Sequence, residues 1–428
     1  MTRNRTVLSH WARLNRCFQK RASAGLAFAF LAAAVQAAPP QKAPSDALPI
    51  KIGAISSLKA GATEFGASGF AAKAFFDSVN ASGGIQNRKL VYSNIDDGGN
   101  PAAAAEAAAR FIADPLVVAM AGSASYLECG VNAGAYLAAG LVSVPGLGLD
   151  SGCFKTPMIS PVNAGPYIQL ELALRYAAQN LGAKKLCVMR LGTPANLQTA
   201  FDEVMASWVE RTGIKPILDE RDIRPDDKPE GFLKKAAVAD CQAIVFGGPA
   251  PFSLKFALAA KQDLPRTVHL IFIGSVYTTQ AVEALGTNGE GIYVMSEFEP
   301  WSSRSGSLSN WRNLMTASQI PLTSVSQGGY VSAQVLVRVL RSIKGDITRA
   351  SVAQAFRQLQ GLDVPMMGMP YSFGDGSAHH PNQAALPMKL VAGRWRIAHH
   401  DWIRSLKTVP FTASSPSMTA PANTPSAN

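Results

Sequence analysis

Only five cysteines occur in 428 residues, and none sits in a C-x-x-C pair, which excludes zinc-ribbon and dithiol redox chemistry. Histidine is as scarce: of six, none lies between His10 and His269, so Ser123 and Ser125 have no imidazole near them in sequence to act as a base. Neither a Walker A lysine motif nor G-x-S-x-G is present. Lys and Arg form no dense run in the body of the chain and do not interleave with aromatics, so nucleic-acid binding has no footprint. No apolar run reaches the ~20 residues of a membrane-spanning helix. These gaps leave no catalytic residue, no metal set and no cofactor motif to expect. Attention turns from catalysis to binding.

What is present begins with a segment unlike the rest. Residues 1–37 hold six basic residues, from Arg3 to Arg21, no acidic one, and the apolar run AGLAFAFLAAAV ending near Ala37. That is the make-up of a secretory signal peptide cut before Ala38. The only nearby cysteine, Cys17, precedes the apolar run, so a lipid anchor is not expected. Without this segment, 40 basic residues become 34 against 29 acidic ones, and the formal +11 falls to +5. Most of the basicity is a targeting signal. An exported chain meets oxidising conditions, where cysteines pair. Cys129 and Cys153 lie in successive loops, each just past a strand-like run, and are expected to bond, which a loop of this length makes worth about 3 kcal/mol. Cys187 and Cys241 each start a strand-like run, and whether they pair stays open.

With 47% apolar residues, the chain can fill two domains. From residue 50 it alternates short β-rich runs with amphipathic helical stretches: IKIGAIS, a helix over 66–81, KLVYSNI, a helix over 101–113, LVVAMAG, another helix, and LVSVPG. Asn100 followed by Pro101 is a helix start, and Gly83, Gly84 and Gly140 are helix stops. After MISPVN at 158–163 the alternation restarts and runs to VHLIFIG. Two α/β lobes with parallel sheets follow. Two long helical stretches, around 307–319 and 326–344, and a hairpin-like PMKLVAGRWRI complete the pattern, before a Ser-, Pro- and Thr-rich tail over 409–428 that is expected to be disordered.

Ligands of open parallel sheets collect beyond the carboxyl ends of strands. In the first lobe that rule selects 56–66, 96–100, 122–129 and 145–153, and in the second 190–196, 247–251 and 274–279. Two facing loop sets make a cleft. GLGLDSG, at 146–152, has one residue too many before its last glycine and follows the fourth strand, which argues against a dinucleotide site. His379–His380 and His399–His400 are adjacent pairs, unable to chelate from a strand, and read as surface or hinge residues. Asp96 and Asp97 read as turn and cap residues, since the other ligands of a calcium loop are missing.

Several stretches resemble the type 1 periplasmic solute-binding proteins of ABC transporters, the leucine/isoleucine/valine-binding family. They are IKIGAISSLKAGATEFGASGFAAKAFFDSVNASGGIQNRKL, DDGGNPAAAAEAAARFI, VVAMAGSASYLECGVNAGAYLAAGLVSVPG, GGYVSAQVLVRVLRSIKGDITRASVAQAFRQL and VAGRWRI, in that order over about 48–400. The resemblance implies two doubly wound parallel-sheet lobes joined by three hinge crossovers, near Ser160, Tyr293 and Pro381. Lobe one would comprise 48–160 and 293–381, and lobe two 161–292 and 382–408. It also implies a periplasmic monomer that closes on a small solute and delivers it to permease subunits in the inner membrane, or, alternatively, a sensor that feeds a signalling partner.

By position, the family's carboxylate-binding serine loop maps to Tyr126 with Ser123 and Ser125 beside it. Its small-small-Thr run maps to Gly146, Leu147 and Gly148, its aromatic before the first helix to Phe65, and the acid that pairs a solute ammonium to Val276 with Tyr277 next to it. The missing Thr and acid argue against an ordinary α-amino acid, whose buried ammonium would stay unpaired. Gly146 and Gly148 are expected to offer backbone groups to the solute. Phe65 and Tyr126 would stack on a planar ligand or pack within the lobe. Arg190 would pair a carboxylate, favouring an anionic or aromatic acid, or lie on the surface.

Overall fold

The computed structural model describes residues 48–58, 65–192 and 195–405. The expected signal segment, the tail and loop residues 59–64 lie outside the described residues.

The first half folds as β1 (Ile50–Ser56), α1 (Gly66–Ala81), β2 (Leu90–Asp96), α2 (Pro101–Ala113), β3 (Val117–Ala121), β4 (Ala124–Ser125), α3 (Glu128–Ala139), β5 (Val142–Val144) and β6 (Leu147–Gly148). Every pairing in this sheet is parallel. β1 lies between β2 and the β3/β4 pair, with β5 beside β3 and β6 beside β4. Local signals set the helices. Asn100 caps α2 by accepting from Ala102 N at 2.9 Å and Ala103 N at 3.2 Å, with Pro101 at the first helical position. Gly140 ends α3 at φ 61°. Asp96 and Asp97 make the expected turns, accepting from Gly98 N and Gly99 N at 2.9 and 2.8 Å.

The second half continues as α4 (Gly165–Arg175), β7 (Leu186–Leu191), α5 (Ala195–Thr212), β8 (Leu218–Ile223), α6 (Pro229–Val238), β9 (Ala243–Gly247), α7 (Ala250–Asp263), β10 (His269–Phe272), α8 (Thr279–Leu285) and β11 (Tyr293–Ser296). Then come α9 (Gly306–Ala317), α10 (Ser324–Ser342), α11 (Arg349–Arg357), β12 (Ala384–Val391), β13 (Arg394–Ile397) and β14 (Ile403–Arg404). The second sheet has the order β8-β7-β9-β10-β11-β12-β13. It is parallel through β11 and antiparallel beyond, with β14 on β12. Alternate β7 residues serve opposite faces: Leu186 and Val188 pack with Trp208, while Cys187, Met189 and Leu191 join Phe246, Phe256 and Phe272.

Helices α9 to α11 return to the first sheet, where α10 lies along α1 and α11 covers β3 and β5. The return begins later than expected. Tyr293–Ser296 is bonded into the second sheet, with Tyr293 opposite Ile271 and Lys389, so the crossing follows Ser296 instead of falling at Tyr293. Both cysteine pairs are bonded: Cys129–Cys153 ties the start of α3 to the turn after β6, and Cys187–Cys241 resolves the pairing that the sequence left open.

Candidate functional site

The sequence-predicted site residues lie at or near the carboxyl ends of β1, β3, β4, β6, β7 and β10. On the lobe-one side, Ser125 accepts from Leu127 N at 2.9 Å and Glu128 N at 3.0 Å, capping α3, and its hydroxyl donates to Asp97. Ser123 accepts from Ile55 N at 3.1 Å and hydrogen-bonds to Glu128. Both hydroxyls are therefore engaged inside the lobe. Glu128, itself buried, also accepts from Tyr136 at 2.9 Å and Ser143 at 3.2 Å, and burial raises its carboxyl to about 7 against these bonds.

Phe65 and Tyr126 come together as an edge-to-face pair with centroids 4.8 Å apart. Of the two, Tyr126 is the exposed ring, and Phe65 is buried. Packing within the lobe thus holds Phe65, while Tyr126 stays partly exposed.

The two glycines differ from expectation. A Cβ on Gly146 would lie 2.3 Å from Ser68 Oγ and 2.8 Å from Gly329 N, because α10 presses its Gly328–Gly329 pair against the loop. Gly146 is a close-packing position and not an open cradle. Gly148 gives its N–H to Asn163 Oδ1 at 2.7 Å and accepts from Asn163 Nδ2 at 3.1 Å, so its backbone groups already have partners.

In lobe two, Arg190 is neither of the expected alternatives in simple form. It is fully buried, its Nη2 lies 3.1 Å from Asp202 and 3.6 Å from Asp219, and its guanidinium sits 5.1 Å from the Phe201 ring centroid. Arg221 bridges the same two carboxylates at 3.1 and 2.8 Å. Arg190 Nε and Nη1 have no hydrogen-bond partner among the described residues. A buried donor left so costs about 1–3 kcal/mol, and an acceptor supplied by a ligand would recover it. Tyr277 is buried, stacked on Trp301 at 3.7 Å and 17°, with Trp395 at 5.9 Å. Val276 is fully buried. It carries no charge that could meet an ammonium.

An aromatic row spans the two lobes near the crossings. His380 stacks on Phe154 at 5.0 Å and 7°, Phe154 meets Tyr167 at 6.2 Å, Tyr167 meets Phe201 at 4.7 Å, and Phe201 carries Arg190. Tyr167 donates to Leu149 O at 3.0 Å, and Lys155 pairs with Glu203 at 2.8 Å, both across the cleft. Burial, then His379 and Lys155, push His380 down to about 3. His379 and His380 occupy the third crossing, the hinge of their two expected places. Sequence reasoning missed Phe154, Tyr167, Phe201 and Trp301; proximity to the ends of strands was their only signal. A groove of about 620 Å³ runs along α1 from Ala67 and Phe70, next to the 56–66 loop, to Gln280 of α8 and Thr323, and its charged side chains among the described residues are the exposed Lys73–Asp77 pair. The strand-end cleft, with its buried cation and aromatic row, is the stronger candidate. Cys129, Asp150 and Cys153 also cluster, but with both sulfurs bonded there is no thiolate to bind a metal.

Two α/β lobes with facing strand-end loops and three crossings define a hinged binding protein. The chain belongs to the periplasmic binding protein family, whose sequence profile matches residues 49–394. Its fold is shared by a possible leucine/isoleucine/valine-binding protein from Rhodopirellula baltica SH 1, at 20% identity, 83% of this chain, 98% of that chain and a TM-score of 0.69. A solute-binding protein from R. palustris in complex with 4-hydroxybenzoate aligns at 17% identity over 83% of this chain and 97% of its own, TM-score 0.69. The branched-chain amino acid transporter substrate-binding protein LivJ from Streptococcus pneumoniae, in complex with isoleucine, aligns at 16% over 83% and 100%, TM-score 0.68. No curated protein matches the chain.

Proposed function

We propose that the chain is the substrate-binding protein of an ABC importer. After removal of residues 1–37 it works in the periplasm as a monomer, captures a small anionic or polar solute between the lobes, and delivers it to permease subunits. Among the described residues the lobes correspond to 48–160 with 297–381 and 161–296 with 382–405, and closure is a shift in population about the crossings. The solute class is a carboxylate with a planar, apolar body. The observation that carries this is Arg190, a buried cation with two nitrogens that have no hydrogen-bond partner among the described residues, at the end of an aromatic row. Tyr126 adds aromatic surface from lobe one, and no acid stands at Val276 to hold an ammonium.

A thermal-shift and native mass-spectrometry screen over aromatic acids, dicarboxylates and branched-chain amino acids tests this reading. Aromatic acids, 4-hydroxybenzoate among them, are expected to stabilise the chain. Stabilisation by branched-chain amino acids alone would refute the solute class.

A further inference from the structure

The three crossings meet at one residue, Glu297. Glu297 is buried and follows β11 directly. Its Oε2 accepts from Ala164 N at 3.0 Å, just ahead of α4, and from Gln169 Nε2 at 2.9 Å. The Gly165 amide and the Asn163 side chain hydrogen-bond to it as well. From these partners the contacts run outward to both lobes. Asn163 holds both backbone groups of Gly148, in the lobe-one loop. Gln169 Oε1 accepts from Gly274 N, where the lobe-two loop that carries Tyr277 begins. The third crossing closes the arrangement, with Asn382 Nδ2 donating to Glu297 O at 2.9 Å and to Val162 O at 3.2 Å.

We propose that Glu297 is a positioning residue for the cleft, holding the 146–150 loop through Asn163 and the 274–277 loop through Gln169, so that the two facing loops share one buried anchor. The proposal rests on the reading of the cleft as the solute site. Polar groups in such a network strengthen one another in a low-dielectric interior, and a chain of this kind couples two sites when one member has two discrete states.

Glu297 has two such states. Burial raises its carboxyl to about 7, against backbone and side-chain donors that favour ionisation. All the groups acting on it are neutral. The titratable side chains on the packed elements face elsewhere: Glu171 of α4 meets Arg211 at 3.3 Å and Ser405 at 2.6 Å, His379 meets Pro157 O at 3.2 Å, His380 stacks on Phe154, and Glu299 accepts from Ser305 at 2.9 Å. Hydrogen bonds to an ionised acceptor are shorter and stronger than neutral ones. Ionisation therefore tightens both arms together, and protonation slackens both.

Amide hydrogen exchange on the ligand-free chain tests this, with the N–H groups of Gly148 and Gly274 as direct reporters. After correction for intrinsic exchange, protection at both glycines is expected to rise about fivefold between about pH 5.5 and pH 8.5, the scale of making one acceptor ionic. Glu297→Gln is expected to abolish the response at both glycines. Gln169→Met, which removes one arm, should expose Gly274 and keep the response at Gly148. A response at only one glycine in the unsubstituted chain, or a response that survives in E297Q at both, would overturn the proposal. No solute enters the measurement, so a failed solute screen refutes the cleft reading without touching the anchor, and the reverse also holds.

Discussion

Replacing Gly148 by threonine puts back the residue that leucine/isoleucine/valine-binding relatives are expected to carry at this point. If specificity were lost merely by losing that side chain, the variant would regain it. The packing says otherwise. A Cβ at 148 would stand 2.9 Å from Cβ and Cγ of Pro161 and 3.1 Å from Cys153 Cβ. Neither neighbour yields easily, since one is a proline ring on the first crossing and the other is half of a disulfide. Forcing extra atoms into a packed site costs about 1–3 kcal/mol, and a branched residue here belongs in the upper half of that range. At roughly 1.3 °C per kcal/mol, from about 2.1 cal/mol/K of unfolding entropy per residue over about 370 residues, the melting temperature of G148T should fall by about 3–4 °C. Differential scanning fluorimetry measures the fall, and calorimetric titration with L-isoleucine should give no heat. A G148T protein as stable as its parent that binds isoleucine where the parent does not would refute the reasoning.

Arg190→Met should weaken binding of any carboxylate ligand at least tenfold while leaving the melting temperature unchanged or raised, because Arg221 keeps both aspartates paired and an apolar side chain of similar size often replaces a buried ion without loss; unaltered affinity by titration would remove Arg190 from the site. The C129S/C153S double variant, which opens a bridge of sequence separation 24, should lose about 3 kcal/mol in denaturant unfolding. Glu128 ionises near its ordinary 4.5 in the unfolded chain and near 7 in the folded one. Between those values the folded state binds more protons, so its contribution to stability is full below 4.5 and is lost as pH rises to 7, by on the order of 3 kcal/mol. E128Q should flatten this part of the stability–pH curve. His380 has the opposite sign, its contribution being present above 6.5 and lost as pH falls towards 3.

The alternation of strands and helices is legible because each parallel strand is a short apolar run between helices with explicit ends, as Asn100–Pro101 and Gly140 show. The resemblance carried what alternation does not, the return of α9 to α11 to the first sheet. The site was less legible for physical reasons. A glycine at a strand end looks the same in sequence whether it faces a solute or another backbone, and only the arrival of Gly328 and Gly329 decides Gly146. Arg190 has no mark of burial, since Phe201, Asp202 and Asp219 reach it from a helix and a neighbouring strand. Glu297 sits in MSEFEPW with a second acid two residues on, and nothing local says which one is buried among the crossings.

The contact between Gly146 and α10 also limits how this protein can change. Gly146 meets two glycines and the Ser68 hydroxyl with no room for a methyl group, and a Cβ on Gly329 would lie 1.9 Å from Ser68 O. Any larger residue at 146 must move a long helix together with α1. Mutational paths to a new ligand through this loop are therefore closed at that position. They remain open at Leu147 and Leu149, whose partly exposed side chains can vary without disturbing the helix pair.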